Sequence, residues 1–293
     1  MGNYSWELRE ADREIVRREL WGFVPDRVFD AHAHLHERSH YADESEGSPL
    51  YSHVAMLANA PDRLGLGEYR QHMEWLMPGR KVDGLFIPTA LAGEPGVING
   101  FVAEEVSGQL DCFGAMAVRP TMDAEYVRQE VRRHRFAALK PYHIHAATQP
   151  AWDADIEEYL PEEHVRVAHE ERLAVVLHLV KRRALADESN QRTIRRLCER
   201  YPNMKLVLAH AGRGFNPHHT IEGVGELCDL GNVWFDTAAV TESGAFEAIV
   251  RAFGHRRLLF GTDFFISHLR GRCVAVGNPL VTRGRKFRGF SFF

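Results

Sequence analysis

The 293-residue chain is poor in cysteine: Cys112, Cys198, Cys228 and Cys273 lie far apart, and no Cys-X-X-Cys pair occurs. Nothing in that spacing builds a disulfide framework, and a reducing cytoplasm is the expected compartment. No stretch of about 18 uncharged apolar residues occurs, so no membrane-spanning helix is expected. The early run Trp6-Glu7-Leu8-Arg9-Glu10 is not a secretory signal. Neither sign of charge dominates. With 36 basic and 40 acidic residues the net charge is −4, which argues against a general affinity for nucleic acid or acidic membranes. No Gly-X-Gly-X-X-Gly and no Walker loop follows any apolar run, which removes the usual reason to expect a nucleotide-binding open sheet.

What is present is an ordinary globular composition, 45% apolar and 26% charged. Leu8, Ala11, Ile15, Val16 and Leu20 recur at helical spacing, so residues 1–25 are read as an N-terminal helix covering the base of the core, stopped before Pro25. Eight short apolar runs follow: Val28–His32, Val82–Pro88, Cys112–Val118, Phe136–Pro141, Leu173–Leu179, Lys205–His210, Val233–Thr237 and Leu258–Asp263. Several are continuously apolar, as parallel strands buried on both faces are. Helical patterns alternate with them. In Glu188–Tyr201, Ile194, Leu197, Cys198 and Tyr201 share one face, with Asp187 or Ser189 as cap. Further helices are expected from Pro161, over Asp123–His134 and over Glu242–Phe253.

Strand–helix alternation of this length predicts an α/β fold, a single (β/α)8 TIM-type barrel spanning 1–293. An open doubly wound sheet is the alternative. Two segments stand out. The connection His36–Arg80 is long enough to be a partly helical lid, or a decorative insertion. After Asp263 the chain lacks an obvious eighth helix, and residues 273–293 read as an atypical basic and aromatic tail, with an incomplete eighth helix as one outcome.

In barrels of this kind the site lies at the C-terminal ends of the strands. The first run ends in Asp30-Ala31-His32-Ala33-His34. Residues two apart on a strand share a face, so His32 and His34 point the same way and can grip one metal ion. The fifth run ends in His178, the sixth in His210, the eighth in Asp263, and the fourth carries Lys140. One such residue is ordinarily a satisfied core group. Buried ionisable groups on this many strand ends call for pairing or a metal. Tyr142, Arg182 and Arg213 are weaker candidates, each with an ordinary packing or surface role as the alternative. His143 and His145 repeat the His-X-His spacing after the fourth run and are read as loop histidines or substrate contacts.

The motifs Asp30-Ala31-His32-Ala33-His34, Leu177-His178, Tyr201-Pro202-Asn203, Ala209-His210-Ala211-Gly212, Phe235-Asp236-Thr237 and Phe260-Gly261-Thr262-Asp263-Phe264 stand in order over roughly Val28 to Arg272. In these the chain resembles the amidohydrolase superfamily. Within it, the chain is similar to the amidohydrolase-2 branch, which holds aminocarboxymuconate-semialdehyde decarboxylase, resorcylate decarboxylases and certain lactonases. The resemblance implies that His32, His34, His178 and Asp263 bind one divalent metal, zinc first, with manganese, iron or cobalt as alternatives. It implies His210 and Asp263 as catalytic groups beside a metal-activated water. Lys140 stands where binuclear members carry a carboxylated bridging lysine, so a second metal is the minor alternative to a lysine that binds a substrate carboxylate. The expected activity is hydrolysis of a small amide, lactone or ester through metal hydroxide. The alternative is non-oxidative decarboxylation of a small unsaturated or aromatic acid, with Lys140, Tyr142, Arg182 and Arg213 as substrate-binding candidates. A catalytically idle barrel that binds a partner is a third reading, distinguished by its metal content. The expected partner is a small-molecule substrate, not nucleic acid or a membrane, with homo-oligomer formation left open.

Overall fold

The computed structural model describes residues 9–40, 61–89, 93–268, 271–275 and 280–284. Each of the eight apolar runs contains a strand of one parallel sheet. The strands are β1 (Arg27–Glu37), β3 (Lys81–Pro88), β4 (Phe113–Val118), β5 (Ala138–Pro141), β6 (Ala174–Leu177), β7 (Lys205–Leu208), β8 (Val233–Asp236) and β9 (Leu258–Leu259), hydrogen-bonded in that order. A two-residue strand β2 (Arg63–Leu64) adds antiparallel to the end of β1, opposite His36 and Glu37.

The sheet is curled. Leu85, Ile87, Ala115, Ala138, Val176, Val207 and Ala209, from five successive strands and the residue after the last, form one small cluster on the inner face. A larger apolar layer lies outside, between strands and helices, with Met116, Leu139, Val175, Leu206 and Phe235 against Val127, Val165, Ile194 and Ile249. Strands buried on both faces are the reason these runs are apolar throughout rather than alternating. Past β9 the chain runs back beside β1. The Ala31 amide donates to Phe260 carbonyl at 2.8 Å, the Asp263 amide to His32 carbonyl at 2.7 Å, and the His34 amide to Phe264 carbonyl at 2.6 Å. The result is a mixed α/β architecture with a curled parallel sheet, consistent with a TIM-type fold.

The helices begin where their caps require. Asp123 accepts from the Glu125 and Tyr126 amides and starts Ala124–His134; Asp187 accepts from the Ser189 and Asn190 amides and starts Glu188–Arg200. Pro161 is the residue before Glu162–Glu170 rather than its first, and Ser243–Phe253 follows Glu242. The N-terminal helix Glu10–Ile15 continues as a wider turn over Val16–Leu20. Val16 is the buried residue of Glu10–Leu20, and from the described part of the 1–25 segment Val24 packs against the core.

Within the long connection, Leu66–Leu76 is a helix whose Tyr69 and Met73 pack with Leu35, Phe86 and Phe264 on the outside of the sheet. Residues 41–60, the middle of the expected lid, lie outside the described residues. After β9, strands β10 (Gly271–Ala275) and β11 (Leu280–Gly284) pair as an antiparallel hairpin. The rest of the expected tail, 276–279 and 285–293, lies outside the described residues. Among the described residues, no helix is long and apolar enough to cross a membrane.

Candidate metal centre at the strand ends

β1 does not run in simple register with β3. Asp30 is opposite Gly84 and Ala33 is opposite Phe86, so three residues of β1 advance against two of β3. This bulge lies between Asp30 and Ala33. Gly84 permits it, since a Cβ there would sit 2.6 Å from the Asp30 carbonyl oxygen. His32, within the irregularity, and His34, just past it, have ring centroids 5.2 Å apart.

Asp263 meets them from the other side of the seam. Its Oδ1 lies 3.1 Å from His34 Nε2 and 3.5 Å from His32 Nε2. It follows β9 with φ of +55°, a left-handed conformation that turns the carboxylate toward the histidines. His32, His34 and Asp263 are all buried, and one ligand atom from each falls within 4.8 Å of the others. His32, His210 and Asp236 form a second such trio sharing His32.

The outer partners fix which ring nitrogens carry protons. His32 Nδ1 lies 2.9 Å from Asp236 Oδ2, so this nitrogen donates and Nε2 keeps its lone pair. His210 Nδ1 lies 3.0 Å from the Ala238 carbonyl, an acceptor only, so Nε2 of His210 also keeps its lone pair. Asp236 does more than orient His32. Its Oδ1 accepts from the backbone amides of His210, at 2.7 Å, and Ala238, at 3.1 Å. His210 has φ of +57° and Ala211 +55°, so the chain after β7 coils back under its own strand end, held by this carboxylate.

Charge follows from the same contacts. Burial pushes the His32, His34 and His210 rings below the ordinary imidazole range, leaving them neutral at neutral pH. Burial works to raise Asp263, but the hydrogen bond from His34 leads the contacts that hold it below the ordinary carboxylate range. Asp236 is likewise low, because its bond to His32 and its amide donors outweigh its burial. Neutral imidazoles and ionised carboxylates are the protonation states that bind a divalent cation. The buried Nε2 of His32 has no hydrogen-bond partner among the protein atoms. A buried polar atom without a partner is costly, and here it faces a carboxylate and a second imidazole. The donor set therefore fits a divalent metal.

The remaining candidates divide. His178 follows β6; its ring is edge-on to His210 at 5.0 Å and stacked on His143 at 5.2 Å, and its Nδ1 has no hydrogen-bond partner. It borders the trio without belonging to it. Burial, then the neighbouring His210 and His143, push its pKa well down. Lys140 is buried on β5, its Nζ 5.5 Å from the centre of the Tyr142 ring. Burial lowers its amine to about 8, with Asp236 and Asp263 acting the other way. The Tyr142 hydroxyl donates to the Pro88 carbonyl at 2.7 Å. Arg213 is half-buried, donates to the Lys181 carbonyl at 2.7 Å and lies 5.0 Å over the Trp152 ring; burial lowers it to about 10. Arg182 is exposed. His143 is buried between Trp152 and His178.

Two residues here escape sequence reasoning as participants. Asp236 belongs to the motif Phe235-Asp236-Thr237, and its signal was available: an acid ending an apolar strand, the pattern that singles out His178 and His210. Asp30 opens the His-X-His motif and accepts from the amides of His32 and Thr262 and from the hydroxyls of Thr262 and Tyr69. A cavity of about 640 Å³, lined by Arg172, Lys205, Asn232 and Trp234, opens at the other end of the strands and touches none of these groups.

Comparison with solved structures supports the fold. An amidohydrolase from Burkholderia multivorans, solved with bound HEPES, superimposes with a TM-score of 0.59 at 16% identity, over 82% of this chain and 85% of that one. In another crystal form, with bound zinc, the values are 0.54 and 15%, over 82% and 84%. The 5-carboxyvanillate decarboxylase of Sphingomonas paucimobilis matches with a TM-score of 0.57 at 15% identity, over 82% and 89%. A putative 2-pyrone-4,6-dicarboxylic acid hydrolase from Pseudomonas putida matches with 0.54 at 17%, over 83% and 84%. At such identities the likeness shows the fold. No curated protein matches the sequence. The family assignment rests on the sequence itself: residues 29–272 match the amidohydrolase-2 profile from the strand carrying His32 and His34 to beyond Asp263, and the chain belongs to that amidohydrolase family.

Proposed function

We propose that the chain is a metal-dependent hydrolase acting on the carbonyl of a small amide, lactone or ester. Its frame is a (β/α)8 barrel closed by the backbone bonds between β1 and residues 260–264. The observation that carries the reading is the convergence of His32, His34 and Asp263, with His32 held in the tautomer that leaves Nε2 open. These three residues, with His178 beside them, would hold one divalent ion, zinc or manganese being suited to the donor set. The chemistry such a site supplies when loaded is Lewis acidity, which polarises a carbonyl and acidifies water.

The chain's own groups do the rest. The open Nε2 of His210 accepts a proton from the attacking water, because Nδ1 is committed to the Ala238 carbonyl. Asp263 stays ionised and orients that water. Asp236 keeps both His32 and the His210 backbone in place. The Lys140 ammonium, facing the same space from β5, receives an anionic group of the substrate.

A buried ammonium beside the site also favours a second reading, non-oxidative decarboxylation, since a departing carboxylate needs a cationic seat. The test is a panel of lactones, esters and aromatic acids offered to zinc- and manganese-loaded protein. Turnover of a lactone or ester without release of carbon dioxide is expected. Release of carbon dioxide from an aromatic acid, with every lactone and ester inert, would replace the first reading with the second.

A further inference from the structure

One buried carboxylate, that of Asp30, joins three separate parts of the chain, and no catalytic role accounts for it. Its Oδ1 accepts from the His32 amide at 3.0 Å and the Thr262 amide at 3.0 Å. Its Oδ2 accepts from the Thr262 hydroxyl at 2.6 Å and the Tyr69 hydroxyl at 2.9 Å. The Thr262 hydroxyl oxygen in turn accepts from the Phe264 amide at 3.0 Å. Residues on both sides of Asp263 are therefore tied, directly or through one hydroxyl, to Asp30. Between them Asp263 adopts φ of +55°, a conformation that a residue with a Cβ keeps only where its surroundings impose it. The Asp263 amide closes the loop by donating to the His32 carbonyl at 2.7 Å.

The seam is also sterically tight. A Cβ on Gly261 would come within 3.0 Å of His32 Cβ. Tyr69 comes from the helix Leu66–Leu76. It is fully buried, with its ring edge-on to Phe86 at 4.9 Å and to Phe264 at 5.6 Å. Its hydroxyl thus reaches Asp30 from a rigid position. The network touches no ligand atom of His32, His34 or Asp263, and acts only on the backbone that aims them.

We propose that Asp30 and Thr262 are positioning residues that hold Asp263 and His32 in metal-binding geometry, with Tyr69 locking them from the helix outside the sheet. The proposal rests on the metal site proposed above. A merely structural tie would set melting temperature. A positioning tie sets metal affinity as well, in the way that outer partners of metal ligands typically change affinity by about 10- to 100-fold.

The experiment is competition for zinc between a chromogenic chelator and the full-length protein, with melting of the metal-free protein measured in parallel. Thr262→Val keeps the shape but removes the hydroxyl that serves Asp30 and Phe264. It should weaken zinc by about 10- to 100-fold, and Thr262→Ser, which keeps the hydroxyl, should restore affinity to within about threefold of the parent. Tyr69→Phe removes one donor and should weaken zinc less than Thr262→Val does. Equal zinc affinity in the parent, Thr262→Val and Tyr69→Phe, with only the melting temperature lowered, would overturn the positioning role while leaving the metal site standing. If Thr262→Val does not fold, unchanged affinity in Tyr69→Phe overturns it alone. A parent chain that takes up no zinc would overturn both.

Discussion

The two sides of the candidate site are built differently. At the seam between β1 and the turn after β9, each group is held by directed bonds. His32 is fixed by Asp236, Asp263 by its backbone ties, and His34 by Asp263. Just past β6, the His178 ring is held by packing against His143, Trp152 and His210, the Tyr159 hydroxyl donates only to its backbone carbonyl at 3.2 Å, and its Nδ1 has no protein partner. Packing limits where a ring lies but leaves its nitrogens uncommitted. The seam is thus organised by the protein's own bonds, whereas in the proposed function His178 would take its partner from the bound metal or substrate. Preorganisation of this kind is where differential stabilisation of a transition state comes from.

The sharpest way to break the comparison is at Asp263. Asp263→Asn keeps the shape and one oxygen but loses the charge that neutral imidazoles surround. We expect turnover to fall by about 10²- to 10⁴-fold with part of the metal retained. His178→Ala should lose metal first, and excess metal should restore part of its activity but none of that of Asp263→Asn. A metal titration of both variants against an identified substrate checks this. Near-parental turnover in Asp263→Asn would show that the charge of Asp263 is not needed to orient the attacking water.

Next in size is Asp236→Asn, which leaves the His32 tautomer undirected. Metal affinity should drop by about 10- to 100-fold, read by chelator competition. An unchanged affinity would mean that His32 needs no outer partner.

Lys140 offers a smaller effect with a defined pH dependence. Burial lowers its amine from 10.5 to about 8, so the folded state disfavours the ammonium. Below pH 8 both folded and unfolded chains carry the proton, and the folded state bears the full cost, at most about 3 kcal/mol. Between pH 8 and 10.5 the folded chain releases the proton first and stability rises. In metal-free protein Lys140→Met should therefore be more stable than the parent at pH 7, with the gap closing toward pH 10.5. Thermal melts across that range test it. A gap that widens with pH would show that the amine is stabilised as the cation.

The surface gives the smallest effect. Arg195 pairs with Asp229 at 2.8 Å in the open. Such pairs contribute little and are screened by salt. Arg195→Ala should leave zinc affinity unaltered, and any shift in melting should shrink at high salt.

How much of this was legible beforehand follows from range. The strands announce themselves, because burial on both faces makes Val175-Val176-Leu177 or Leu206-Val207-Leu208 apolar regardless of partners. His32 and His34 keep their rings within 5.2 Å of each other although the bulge between Asp30 and Ala33 takes in His32, an irregularity that no local pattern announces. The caps Asp123 and Asp187 are local and readable. Asp30, Tyr69 and Thr262 are not, since their contacts span 39 and 232 residues of sequence and each residue looks ordinary by itself. Asp236 lay within reach of the same strand-end argument that picks out His210. The placement of Leu66–Leu76 against Phe86 and Phe264 depends on packing that no local pattern encodes. Tyr142 and Arg213 show the converse. Their residue types suggest substrate contacts, yet the Tyr142 hydroxyl and one Arg213 nitrogen already serve the Pro88 and Lys181 carbonyls.

Metal content tests the central claim most directly. Purified protein equilibrated with zinc and freed of excess should hold about one ion per chain, as a single catalytic centre does, and His34→Ala should hold far less. No bound metal in the parent, or about two ions with Lys140 carboxylated, would contradict the account.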